Sequence, residues 1–86
     1  MKKIVGVIKP FEKFQKCYVY DDGQKIEETN FTLEELPKAL LVLSSQYQIK
    51  DIDLTGSKNF SSGIKKFIEK EEILKNGKNI LKINVI

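Results

Sequence analysis

Two aspartates, Asp51 and Asp53, alternate along one short segment and fall on the same side of an extended chain, about 7 Å apart. Paired carboxylates at that spacing can hold magnesium; they can equally be solvated beside Lys50 and Lys58. Immediately downstream, Gly56-Ser57-Lys58 precedes a helical stretch. A helix N-terminus and a lysine both favour anions, so this turn is the candidate anion site. It lacks the further glycines of a phosphate loop, and a turn followed by a cap accounts for the same residues. Asp21 and Asp22 are explained by a hairpin turn. Lys65, Lys66 and Lys70 could form a basic face with Lys58, but Glu69, Glu71 and Glu72 interrupt it. Tyr18, Tyr20 and Phe60 could stack bases, although small domains more often spend aromatics on the core.

What is missing narrows the chemistry. The chain has 86 residues, one cysteine and no histidine. A disulfide within the chain and imidazole-dependent zinc or iron sites are excluded, as is a histidine general base. Cys17, with no base to activate it, reads as a small buried hydrophobe. Every basic residue is a lysine, so the bidentate fork suited to guanine edges and phosphates is absent. Net charge is only +3, less than a nucleic-acid binder of this size usually concentrates. No run of about 18 apolar residues exists, and the basic start MKKIVGVIKPF is too short for a signal peptide. A cytoplasmic protein with no membrane partner and no cofactor is expected.

The elements that must position these residues form one domain over residues 1–86. Lys2–Ile8 reads as a strand, and its nearly continuous apolar run suits a central strand buried on both faces. Pro10 stops it; Phe11 and Phe14 are expected to close one end of the core. Lys16–Tyr20 is a second strand, with Tyr18 and Tyr20 on one face and Cys17 and Val19 on the other. Asp22-Gly23 is a strong hairpin signal, and the short, charged strand Lys25–Thr29 follows as a protected edge. Thr32 and Glu35 form a capping box for a helix with Leu33, Leu36, Leu40, Leu43 and Tyr47 on one face. Pro37 then sits at its fifth position, which predicts either a single helix with an irregular first turn or a separate turn before a helix starting at Pro37; the former is favoured. Ile49–Thr55 is a strand ended by Gly56. Ser61 or Ser62 caps a second helix, whose stripe is Ile64, Phe67, Ile68 and Leu74, with Phe67 at its centre. Asn76-Gly77 stops it, and Ile80–Ile86 is the last strand.

The order β-β-β-α-β-α-β resembles the ribonuclease H-like fold, the superfamily of ribonuclease H, Holliday-junction resolvases and the ATPase domains of actin and hexokinase. The stretch DIDLTGSKNFSSGIKKFI is similar to the adenosine motif of actin-like ATPases, with Thr55-Gly56 at its start and Ser57 in place of a second glycine. The resemblance implies a mixed five-stranded sheet in the order 3-2-1-4-5. It carries no catalytic residue across, because the first strand has no metal-binding aspartate. MKKIVGVIKPF also resembles the opening of the nitrogen-regulatory PII proteins, which are ferredoxin-like, but the match ends at Phe11. The reading is a small non-catalytic domain acting by binding or self-association, as a homodimer or with a protein partner, through the apolar Ile80–Ile86 edge. The alternative is a nucleotide- or nucleic-acid-binding module using the Gly56–Lys58 turn.

Overall fold

The computed structural model of the chain describes residues 1–76 and 82–86. Strands β1 (Lys2–Ile8), β2 (Phe14–Asp21) and β3 (Gln24–Thr32) form an antiparallel meander. Helix α1 (Leu36–Tyr47), strand β4 (Asp51–Gly56), helix α2 (Lys58–Asn76) and strand β5 (Lys82–Val85) follow. One mixed sheet results, in the order β3-β2-β1-β4-β5, with β4 parallel to both β1 and β5. The β2–β3 turn has Asp22 at φ 51° and Gly23 at φ 81°. Positive φ at both central residues matches the twist of the flanking strands. At the other edge residues, β3 is longer than its charged stretch suggests, reaching Thr32, and a bulge lies opposite Val19 and Tyr20.

Both helices lie on one side of this sheet. Ile4, Ile8, Cys17, Val19, Ile52, Leu54 and Ile83 project to a single face by cross-strand register. They pack there with Leu36, Leu40 and Leu43 of α1 and Ile64 and Ile68 of α2. Val5, Val7, Tyr18 and Tyr20 occupy the opposite, bare face and are only partly buried. The double-sided burial expected of β1 therefore does not occur. Its apolar run fills one face and leaves two valines on the other.

Other local expectations are also corrected. Thr32 and Glu35 do form reciprocal bonds: the Thr32 amide donates to Glu35 Oε1 at 3.1 Å, and the Glu35 amide donates to Thr32 Oγ1 at 3.3 Å. They close a separate turn, and α1 begins only at Leu36, so Pro37 falls in its first turn, where a missing N–H costs nothing. Helix α2 starts at Lys58, which places Ser61 and Ser62 inside it rather than at its cap. Ser61 is buried and its amide donates to Ser57 O at 2.9 Å. The buried stripe of α2 thus runs through Ser61, Ile64 and Ile68, and Phe67 turns outward, 54% exposed. Phe11 and Phe14 are exposed as well and do not close the core. A strand follows Phe11 where a PII protein has a helix, so that likeness ends there. The side chain of Leu74, together with Gly77, Ile80 and Leu81, lies outside the described residues.

Candidate functional site

The parallel strands β1 and β4 end side by side, with Ile8 opposite Gly56. Gly56 has φ +101°, and a Cβ there would stand 2.1 Å from the Ile8 carbonyl oxygen. Close backbone approach alone therefore requires glycine. The next amide, Ser57 N–H, donates to the same Ile8 oxygen at 3.0 Å, so it is committed to the β1–β4 junction. Of the candidate anion residues, Lys58 alone presents an exposed charged group, at the first position of α2.

Asp51 and Asp53 share the bare face as the alternation requires, but Asp53 is already occupied. Its Oδ2 accepts from Lys3 Nζ and its Oδ1 from Asn84 Nδ2, each at 3.0 Å. Partial burial, the largest single influence, favours the neutral acid. The bonds from Asn84 and Lys3 outweigh it, with the charges of Lys3 and Lys82 adding to them, and hold the carboxyl below its usual value. Among the described residues no three Asp, Glu, Cys or His side chains converge as a metal-binding group. Asp22 holds the ammonium of Met1, which also lies 3.8 Å from Asp21. That hydrogen bond lowers the Asp22 carboxyl and raises the amine. The Cys17 thiol is buried and pushed up to about 12 by desolvation, so it stays protonated and unreactive.

The three aromatics considered for stacking separate. Tyr18 and Tyr20 lie together on the bare face, ring centroids 6.2 Å apart, with Lys25 Nζ 5.5 Å from the Tyr18 ring. Phe60 sits on α2 and meets Phe11, edge to face, at 6.5 Å. Phe11 escapes a sequence reading because its role depends on a conformation that no pattern announces. It has φ 67°, a left-handed state that costs a bulky residue about 1–3 kcal/mol. The buried Gln15 side chain enforces it. Gln15 Oε1 accepts from the Lys9 amide at 2.6 Å, and Nε2 donates to Lys9 O at 2.8 Å and Glu12 O at 3.3 Å. The β1–β2 loop is thus stapled from within and holds Phe11 outward. On α2, Lys65 reaches Glu69 at 3.9 Å, while Lys66 and Lys70 are exposed.

No protein-family model and no curated protein matches the chain. Among solved structures it is similar to a Bacteroides thetaiotaomicron protein described as having an actin-like ATPase fold and unknown function. The match has a TM-score of 0.64 at 19% identity, covering 99% of this chain and 32% of that one. The chain therefore spans about a third of its structural neighbour's length. At that identity the likeness concerns fold, and it agrees with the strand order and crossovers above: this is a small α/β domain with a five-stranded mixed sheet and two helices, consistent with a ribonuclease H-like topology and with the actin-like ATPase fold of that neighbour.

Proposed function

We propose that this is a non-catalytic domain of that architecture, which acts by pairing its β5 edge with an extended strand of a second copy or of a protein partner. The observation that carries the reading is the outer side of β5. Lys82 and Ile86 turn their amides inward, to Lys50 O at 2.7 Å and Leu54 O at 2.9 Å. By alternation, the peptide groups of Ile83 and Val85 turn outward, where no further strand lies among the described residues. Unpaired backbone groups at a sheet edge template another strand. Among the described residues of this edge Lys82 is the one charged guard, whereas β3 at the opposite edge carries Lys25, Glu27 and Glu28 and a bulge. The absence of histidine and of any carboxylate in β1 supports the non-catalytic part. Sedimentation equilibrium at micromolar concentration is expected to give a dimer that Val85→Pro dissociates without unfolding the monomer. A monomer mass leaves the partner form, which a β-strand peptide corresponding to Lys82–Ile86 should then fail to compete for if the edge is not used.

A second reading has its own observation. Lys58, Phe60 and Phe11 gather where β1 and β4 end, the position at which open parallel sheets commonly hold ligands. A nucleotide or single strand bound there through Gly56–Lys58 would quench on titration against a fluorescent analogue, and Lys58→Ala would weaken it. Flat titrations with both ligands would remove this alternative.

A further inference from the structure

Three of the molecule's four exposed phenylalanines share one surface. Phe11 is fully exposed and touches Phe60, which is 40% exposed. Phe67 stands two helical turns along α2 from Phe60, roughly 10 Å away along the axis, on the same stripe. Between them lies Gly63, where an added Cβ would meet nothing within 4 Å, so the stripe is open along its length. Among the described residues the rim is mostly cationic. Lys9 and Lys13 flank Phe11 in the loop, and Lys66 and Lys70 stand before and after Phe67 on the outward side of α2; all four are exposed. Glu12 is the acid of the loop, Glu69 is turned to the other flank of the helix with Lys65, and the cationic stretch ends at Glu71, one turn after Phe67 in the sequence.

We propose that this surface docks on an anionic lipid bilayer, the phenyl rings entering the headgroup region and the lysines meeting the lipid charge. Apolar side chains ringed by lysine on a helix face are the composition of interfacial binders, and each lysine near an anionic leaflet adds attraction. The other occupants fit less well. A second copy would set the same lysines against each other. A nucleobase clamped between two rings needs them parallel, but Phe11 and Phe60 meet at 68°. A bound peptide needs directional donors and acceptors, and the stripe offers phenyl and glycine. Phe11, moreover, projects from a stapled loop, and a soft surface accepts a projection without a matching pocket. The expectation of no membrane partner rests on the lack of a spanning segment, and among the described residues no helix is long and apolar enough to cross; surface contact needs neither.

The test is cosedimentation of the full chain with vesicles of phosphatidylcholine containing about one third phosphatidylserine, at roughly 0.1 M salt. Binding is expected there and not to phosphatidylcholine alone. Phe11→Ala and Phe67→Ala should each weaken it about tenfold, and the Lys9→Glu, Lys13→Glu double variant at least as much. Tyr20→Ala, on the bare sheet face, should bind as the parent does, and circular dichroism should show all variants folded. The proposal is overturned by absent binding to the anionic vesicles, or by binding that ignores the phenylalanine variants. It is also overturned if labelled oligothymidylate or a glutamate- and leucine-rich peptide binds more tightly through the same residues.

Discussion

Neighbouring residues Phe67 and Ile68 of α2 make opposite demands on the fold, although both are large and apolar. Ile68 is 0% exposed inside the cluster joining α2 to the sheet, whereas Phe67 is 54% exposed. Ile68→Ala removes buried methyl and methylene groups and leaves a cavity under the helix, a change that costs about 2–5 kcal/mol. Phe67→Ala gives up roughly half of a phenyl side chain's burial, about 1 kcal/mol. An 86-residue domain has a total stability of about 4–13 kcal/mol, so the first change takes a large share of it. In urea, with a slope of about 1.5 kcal/mol/M, Ile68→Ala should lower the midpoint by roughly 2 M and Phe67→Ala by well under 1 M. Equal shifts, or a larger one for Phe67→Ala, would refute the placement of α2's buried stripe through Ser61, Ile64 and Ile68.

Two glycines should respond with opposite signs. Gly56→Ala drives a methyl into the Ile8 carbonyl at positive φ and is expected to cost about 2–5 kcal/mol, while Gly63→Ala in open helix should stabilise by about 0.5–1 kcal/mol; thermal melts of both decide. Asp53 has its folded pKa depressed below 3.8, so its contribution is complete above the unfolded value and lost as pH falls through the folded one. Acid titration of stability should therefore be shallower for Asp53→Asn below about pH 4, and an unchanged acid limb would show that the Lys3 and Asn84 bonds contribute nothing. Hydrogen exchange should protect Val5 to Val7, bonded between β2 and β4, more than Ile26 at the bulged edge; the reverse ranking would contradict the strand order.

The sheet was legible because its signals are local. Asp22-Gly23 announces its turn, and the apolar run of β1 against the charged β3 orders centre and edge. The misplacements share one cause, since periodicity counts apolar residues without saying which layer receives them. Ile64, Phe67 and Ile68 belong to two overlapping stripes, and the small polar Ser61 decides between them by being buried. Val5 and Val7 look identical to Ile4 and Ile8 in sequence, yet they face away from both described helices. The capping box of Thr32 and Glu35 is real but belongs to a turn ahead of the helix, so counting from it misplaces Pro37. The site was less legible still. Asp53 is satisfied by Lys3 and Asn84, 50 and 31 residues away, and a glycine required by a neighbouring carbonyl looks the same as one required by a ligand.

The place of β1 between β2 and β4 has a consequence for how the chain acquires its structure. The meander from Lys2 to Thr32 contains only contacts between sequence neighbours, so it can assemble on the microsecond scale of hairpins. The partner on the other side of β1 comes much later, since Ile4 pairs with Ile52. Loop-closure entropy must be met before that parallel pairing returns anything. Until α1 and β4 arrive, Ile4, Ile8, Cys17 and Val19 form an uncovered apolar strip beside an unpaired edge, the kind of surface on which partly folded chains stick to one another. Refolding yield should accordingly fall with protein concentration even though the finished sheet hides that strip completely.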